Sequence, residues 1–167
     1  CRKECMIFIY YCTKRKMHKE FAEIYDVFMK HVDYNDWYKF LKNYIKKKGS
    51  ILDLGCGTGE FIHRFLKDGY DITGVDISDK MIKVSNEKIK SKNLKNNKYK
   101  LIEENIINYI HFERVDYIIS NFDTVNYLKN EKEFIKFMEK SLKNLKKEGY
   151  LIFDVVTEDI FDEIFEN

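Results

Sequence analysis

The sequence predicts an open, mostly parallel α/β sheet with helices packed against it. Short apolar runs suited to buried strands alternate with segments of helical periodicity over most of the 167 residues. A glycine-rich turn follows the first apolar run, and an aspartate ends the second. Hydrophobic residues make up 44% of the chain, which is enough for a packed core, and the length fits one domain.

Two amphipathic helices are expected before the sheet, and together they form an N-terminal helical cap over residues 17–48. Their apolar side chains recur at helical spacing, as Phe21, Ile24, Tyr25 and Phe28 in the first helix and as Trp37, Phe40, Leu41, Tyr44 and Ile45 in the second. Residues 1–16 precede the cap. Their apolar run is too short for a membrane span and for a signal peptide, so we read them as an extension of uncertain origin or an added strand.

Five strands are predicted after Gly49. They cover residues 50–54, 70–76, 98–103, 115–120 and 150–156. The helix after the first strand is expected to end at Gly69, and Ser78 is expected to cap the next helix at its N-terminus. Asn130 caps the helix before the last strand, and we expect that helix to extend to Gly149.

Small or polar residues follow all five predicted strands. In sheets of this kind, ligands bind beyond the carboxyl ends of the strands. The residues at this rim are Gly55, Cys56, Gly57, Thr58, Gly59, Asp76, Glu104, Asn105, Asn121, Asp123, Asp154 and Thr157. Because loops are commonly polar in any case, the glycines and Asp76 are the most informative of the set.

The glycine-rich turn and Asp76 together indicate recognition of an adenosine group. Alternating glycines let the backbone approach a ligand, and the following helix presents free N–H groups to an anion. The carboxylate of Asp76, at the end of the second strand, can accept hydrogen bonds from both ribose hydroxyls. The fingerprint G-x-G-x-x-G is absent because residue 60 is Glu, and no G-K-[ST] follows as in a P-loop. We therefore expect a ligand with an adenosine end and a carboxylate but no phosphates.

Two sequence stretches closely resemble the first two motifs of class I S-adenosylmethionine-dependent methyltransferases. They read DLGCGTG at residues 53–59 and GVDIS at residues 74–78, and weaker similarity covers roughly residues 21–157. The cap resembles that of small bacterial members. The resemblance implies a Rossmann-like, doubly wound sheet with strand order 3-2-1-4-5, and S-adenosylmethionine as the cofactor.

Family members continue past the fifth strand into a helix and two more strands, six and seven. This chain ends at Asn167, in what reads as the beginning of that helix. We therefore expect residues 49–167 to be a cofactor-binding domain that is C-terminally incomplete, lacks strands six and seven, and leaves the fifth strand as an open edge.

The resemblance implies roles for the glycine-rich turn and the two aspartates near it. Gly55, Gly57 and Gly59 would cradle the methionine part of the cofactor. Asp53 would order the turn or help to hold the amino group, and Asp76 would bind the ribose hydroxyls.

Further positions are assigned to the cofactor by the same resemblance. Ile77 and Met81 would flank the adenine, although both could equally be ordinary core residues. Asn105 stands where an Asp is common, and its amide oxygen can still accept a hydrogen bond from the adenine amino group. Ile106 and Asn121 complete the expected cofactor set.

Methyl transfer requires an acceptor held in line with the methyl group and, by our expectation, no metal. Tyr25 would lie near the methionine end, where an aromatic ring suits a cationic sulfonium, whereas Tyr34 and Trp37 more simply pack the cap. No catalytic residue is assigned. The candidate bases are Asp123, Tyr25, His18 and His31, while His63 and His111 are placed away from the site.

Composition narrows the acceptor. The chain contains no proline, which excludes the Asn-Pro-Pro-aromatic and Pro-Cys motifs with which related enzymes methylate nucleic-acid bases, and its net charge is only +2. A small-molecule acceptor is therefore expected, with a protein acceptor as an alternative and with neither nucleic acid nor a membrane as a partner. The oligomeric state is open.

The four cysteines form no CxxC pair and have no histidine at metal-ligand spacing, so the sequence supports neither a zinc site nor a disulfide framework. A reducing cytoplasm is the expected location. Two other functional classes stay open: a non-catalytic S-adenosylmethionine-binding module or fragment, and an NAD-dependent oxidoreductase on a similar sheet.

Overall fold

A computed structural model of the chain describes residues 17–94 and 98–156. Predictions for residues 1–16, for the side chain of His18 and for Thr157 lie outside the described residues. Within the described part of the chain, no helix has both the length and the apolar character that a membrane span requires.

Within the described residues, five parallel strands form one sheet in the order β3-β2-β1-β4-β5, which confirms the expected doubly wound topology. The strands are β1 (Ser50–Leu54), β2 (Asp71–Asp76), β3 (Tyr99–Glu103), β4 (Val115–Ser120) and β5 (Leu145–Phe153). The central strands β1 and β4 are almost wholly buried, because helices cover both faces of the sheet.

The helices lie between the strands and in the cap, as the periodicity predicts. They are α1 (Met17–Phe28), α2 (Tyr34–Tyr44), α3 (Glu60–Lys67), α4 (Asp79–Ser91) and α5 (Glu131–Asn144), with short 3-10 turns at Met29–His31 and Thr124–Tyr127. The cap packs on the sheet through α2, whose Leu41 is fully buried against the cluster formed by α3 and β1.

The helix ends follow local hydrogen-bond rules. The Ser78 side chain accepts from Met81 N at 3.4 Å, and Asn130 Oδ1 accepts from Glu133 N at 3.1 Å, so both predicted N-caps are confirmed. At the end of α3, Gly69 adopts a positive φ of 78° and closes a Schellman turn that feeds β2.

The boundary before β5 differs from the prediction. Helix α5 ends at Asn144, well before Gly149, and the chain is already in the sheet at Leu145. The pairing register between β4 and β5 shifts between Val115 and Tyr117. This irregular start of β5 has no repeating apolar pattern in the sequence that would predict it. Gly149 is needed for a different reason, since a Cβ there would lie 2.8 Å from the backbone oxygen of Asp116.

Candidate functional site

The glycine-rich turn after β1 is held against β2 by its backbone. The N–H groups of Gly55 and Cys56 both donate to Val75 O, at 2.8 and 3.0 Å. A Cβ on Gly59 would lie 2.2 Å from Ser85 Oγ, so close packing with α4 requires glycine there. A Cβ on Gly57 would meet no atom within 4 Å, so this part of the turn faces open space where a ligand can reach the backbone.

Asp76 organises the turn with its side chain. Asp76 Oδ2 accepts from Gly57 N and Oδ1 accepts from Ser78 N, both at 2.9 Å. A carboxylate offers about four acceptor sites in all, and these two hydrogen bonds use two of them. Two roles are expected for Asp53, to order the turn or to hold the amino group. The hydrogen bonds that order the turn are made by Asp76.

Asp53 has a buried carboxylate oxygen that no described residue donates to. Its side chain is 2% exposed, and Oδ2 has no hydrogen-bond partner among the described residues. Burial, followed by the nearby Asp76 carboxylate, raises the pKa of Asp53 to about 8. A ligand cation at this position would relieve both the missing donor and the desolvated charge.

Asn121 provides the complementary group, a buried donor, beside the same turn. Its Oδ1 accepts from the indole Nε1 of Trp37 at 3.0 Å, while its Nδ2 has no hydrogen-bond partner among the described residues. The backbone oxygen of Asn121 accepts from Thr124 Oγ1 at 2.8 Å. The Thr124 side chain occupies the space beside Gly55, where a Cβ would approach it to 2.3 Å.

The residues expected around adenine have unequal surroundings. Ile77 follows Asp76 with 62% of its surface exposed, whereas Met81 is a buried residue in the first turn of α4. Asn105 Oδ1 accepts from Ile107 N at 3.1 Å, so it stabilises its own turn and keeps one lone pair for another donor. Ile106, next to it, is half-buried.

A charged group links the cap to the turn, and we call Lys88, Asp26, Thr58, Glu60 and Arg64 the Lys88 cluster. Lys88 Nζ lies 2.7 Å from Asp26 Oδ2 and 2.5 Å from Glu60 Oε1, and it donates to Thr58 Oγ1 at 3.2 Å. Burial would raise the pKa of Glu60, but hydrogen bonds from Lys88 and Arg64 outweigh it and hold that pKa below its ordinary value. The acidic residue that distinguishes this turn from a dinucleotide site is thus a paired anion.

Only part of the Lys88 cluster could be found from sequence. Glu60 and Arg64 are spaced i, i+4 on one helix, a pattern that predicts their ion pair. Lys88 and Asp26 lie on different helices, and no spacing in the sequence indicates that they meet.

An aromatic cluster holds the cap over the turn that follows β4. Phe122 stacks against Trp37 at 5.5 Å and against Phe61 at 5.6 Å between ring centroids, and Tyr34 meets it edge-on at 5.2 Å. Phe122 and the next residue, Asp123, both have left-handed backbone conformations, with φ of 58° and 59°. This strained pair of residues turns the Phe122 ring toward the cap.

The candidate bases and the other histidines lie on different elements of the fold. The backbone N–H of Asp123 donates to Asp154 Oδ2 at 3.0 Å, and His31 lies exposed at the end of the 3-10 turn that follows α1. His63 lies in α3, where burial lowers its pKa to about 4, and His111 lies before β4 at the opposite end of the sheet. Among the described residues, no group of three or more His, Cys, Asp or Glu side chains is arranged to hold a metal ion.

Comparison with known proteins identifies relatives that match most of the chain. Residues 45–167 match a family model described as "Methyltransferase domain". The chain is 31% identical over 150 residues to the Bacillus subtilis (strain 168) protein named "Putative methyltransferase YqeM", covering 89% of this chain and 59% of that protein.

Solved structures give the same result. An S-adenosylmethionine-dependent methyltransferase from Clostridium acetobutylicum ATCC 824 superposes with a TM-score of 0.76 at 26% identity, over 86% of this chain and 59% of that one. The glycopeptide N-methyltransferase MtfA complexed with sinefungin shares the fold, with a TM-score of 0.67 at 14% identity over 73% of this chain and 49% of that one. The chain thus spans about three fifths of the length of the first two of these relatives.

Proposed function

Because this chain belongs to the class I S-adenosylmethionine-dependent methyltransferases, we propose that it transfers a methyl group from S-adenosylmethionine to a small-molecule acceptor. The proposed cofactor site lies at the carboxyl ends of β1, β2 and β4. The observation that carries this placement is a buried carboxylate oxygen on Asp53 that no described residue donates to, next to a turn that is open at Gly57.

The residues at this rim fit the cofactor group by group. In the proposal, Asp53 receives the amino group of the methionine part, Gly57 lets that part approach the backbone, and Asp76 accepts from the ribose hydroxyls. The exposed Ile77 covers one face of the adenine, with Asn105 accepting from its amino group. Gly55, Gly59, Met81, Ile106 and Asn121 complete the proposed site.

When bound, S-adenosylmethionine supplies a methyl group on a positively charged sulfur, which an acceptor can displace in line. The task of the chain is to hold the acceptor in position and to keep water out. The cap is suited to both tasks, because its aromatic cluster closes over the turn after β4. Tyr25 lies in the same cap, close to Tyr34. The pKa of Tyr34 is raised first by its own burial and then by the nearby Tyr25 phenol. We propose that the ring of Tyr25 faces the sulfonium.

A small molecule is the proposed acceptor because the chain lacks both base-methylation motifs. After β4 it reads Asn121-Phe122-Asp123-Thr124, where the base-methylating enzymes place prolines. The same segment builds the aromatic cluster, so its positions serve to dock the cap. A protein side chain is the alternative acceptor.

Calorimetric titration with S-adenosylhomocysteine tests the cofactor assignment. We expect saturable binding to the full chain and no comparable binding of NAD. Strand β2 supplies a matched pair of carboxylates, Asp76 at the site and the exposed Asp71 at the opposite end. Asp76→Asn should weaken binding by about tenfold, since a charge-assisted hydrogen bond is worth about 1.4 kcal/mol more than a neutral one, whereas Asp71→Asn should leave it within about twofold. Binding of NAD alone would overturn the assignment in favour of an oxidoreductase.

Turnover separates an enzyme from a binding module. S-adenosylmethionine labelled in its methyl group should transfer label to at least one member of a panel of small nucleophiles. Binding without transfer to any amine, hydroxyl, thiol or carbon acceptor in the panel, or to protein, would favour the non-catalytic alternative.

A further inference from the structure

The orientation of one buried amide is fixed by the chemistry of its neighbour. Trp37, the single tryptophan of the sequence, donates its indole N–H to the side chain of Asn121 at 3.0 Å. An indole nitrogen is a donor only, so the atom that it meets must be the carbonyl oxygen of the amide. The NH₂ group of Asn121 therefore occupies the other position of the amide.

That NH₂ group is a buried donor with no hydrogen-bond acceptor among the described residues. Asn121 is 5% exposed, and Nδ2 has no hydrogen-bond partner among the described residues. A buried donor left unpaired is costly, so its retention indicates a partner other than the described residues. Because an NH₂ group only donates, the arriving group must be an acceptor.

The position of Asn121 relates this donor to the proposed cofactor site. Its backbone oxygen holds Thr124, and Thr124 fills the space beside Gly55 in the glycine-rich turn. Strands β1 and β4 are neighbours, with Asp53 in register with Ile119. The ends of these two strands thus present one buried acceptor, Asp53 Oδ2, and one buried donor, Asn121 Nδ2. An acceptor and a donor together match the ammonium and the carboxylate of an α-amino acid.

We propose that Trp37 is a positioning residue that fixes the Asn121 amide so that its NH₂ group receives the carboxylate of the cofactor's amino-acid end. This inference rests on the proposed function and adds to it a determinant of cofactor selection in the cap. Trp37 sits in α2 and also stacks on Phe122, so the same side chain docks the cap and sets the hydrogen-bond polarity of the site.

The test compares two ligands that differ only in the carboxylate. The full chain is titrated with S-adenosylhomocysteine and with its decarboxylated analogue, which keeps the amine. Trp37→Phe retains an aromatic ring but removes the N–H donor, so the amide is free to rotate. We expect this variant to bind S-adenosylhomocysteine about tenfold more weakly, the loss of about one hydrogen bond to a charged group, and the analogue within about twofold of the unmodified chain.

A second variant tests the same inference through the other partner. Asn121→Asp can still accept from Trp37 but replaces the NH₂ group by an oxygen, which repels a carboxylate. Asn121→Asp should weaken the binding of S-adenosylhomocysteine by a larger factor than Trp37→Phe does. The same variant should weaken the binding of the decarboxylated analogue by a smaller factor than that of S-adenosylhomocysteine. Phe40→Leu is the matched control, because Phe40 lies in the same helix and its ring centroid is 6.0 Å from that of Trp37. A phenylalanine side chain cannot donate a hydrogen bond to Asn121.

The outcomes are distinct. Equal loss of both ligands in Trp37→Phe would mean that Trp37 only docks the cap, and it would overturn the inference. Unchanged binding of both ligands in Asn121→Asp would overturn it as well. If the unmodified chain binds neither S-adenosylhomocysteine nor the analogue, the proposed function itself fails and the inference falls with it. Binding of both ligands by the unmodified chain with no preference for the carboxylate would overturn the inference alone.

Discussion

Replacing Lys88 by methionine removes the cation that joins the cap to the glycine-rich turn. The ammonium group contacts Asp26 on α1 at 2.7 Å, Glu60 at the start of α3 at 2.5 Å, and Thr58 in the turn at 3.2 Å. Only 13% of the Lys88 side chain is exposed. Because methionine retains an unbranched apolar stem of similar length, the substitution removes the charge with little change in packing.

The expected loss of stability follows from the burial of the anions left behind. Removing one partner of a fully buried pair costs about 3–5 kcal/mol, whereas an exposed pair contributes about 0–1 kcal/mol. Glu60 is 19% exposed and keeps Arg64 as a partner, and Asp26 is 40% exposed and can be hydrated. These two facts place Lys88→Met between the limits, at about 2–3 kcal/mol, or roughly 4–12 °C in Tm for a domain of this size.

Urea unfolding monitored by the fluorescence of Trp37, the single tryptophan, measures this loss at the interface concerned. Lys39→Met is the matched control, because Lys39 pairs with Asp36 at 2.7 Å on the exposed face of α2, where solvent screens the pair, so its loss should leave the unfolding free energy almost unchanged. Equal losses in the two variants would refute the reasoning. So would a Lys88→Met loss that is unchanged in an Asp26→Asn background, since contacting partners must couple.

Gly57→Ala should weaken S-adenosylhomocysteine binding about tenfold at a stability cost of only about 1–2 kcal/mol for its left-handed backbone, because its Cβ would meet no atom within 4 Å. Gly59→Ala should instead lower Tm more than Gly57→Ala does, since its Cβ would lie 2.2 Å from Ser85 Oγ. Identical behaviour of the two variants in thermal melts and titrations would contradict a packing role for Gly59 and a binding role for Gly57. In the ligand-free chain, Asp53 has a pKa raised from 3.8 to about 8, so its contribution to stability is complete below pH 3.8 and is lost as the pH rises through about 8. Urea melts over that pH range should therefore show a smaller fall of the unfolding free energy with pH for Asp53→Asn than for the unmodified chain, and an equal fall would count against the burial of the Asp53 carboxylate. Asn130→Ala should cost about 1 kcal/mol of unfolding free energy by removing the cap on Glu133 N, and a denaturation midpoint equal to that of the unmodified chain would argue against it.

The parts of the molecule that could be predicted from sequence are those decided by local chemistry. Ser78 and Asn130 cap their helices because their side chains reach backbone N–H groups three residues ahead. The positions of β1 and β4 follow from short, mostly apolar segments of the kind that form buried parallel strands. The start of β5 could not be predicted, because the register shift against β4 depends on contacts with Asp116 and leaves no periodic pattern.

For the site, the sequence by itself determined the glycine-rich turn, the acidic end of β2 and hence the kind of ligand, since each depends on residues adjacent in the chain. The tertiary structure decided which side chains distant in the sequence contact each other. Trp37 reaches Asn121 across 84 positions of the sequence, and Lys88 meets Asp26 on another helix. It also left Asp53 Oδ2 buried with no donor among the described residues, and it placed Asp76 Oδ2 on the N–H of Gly57 in the turn. Such pairings depend on how helices and strands pack, and packing distances are not encoded in any local spacing.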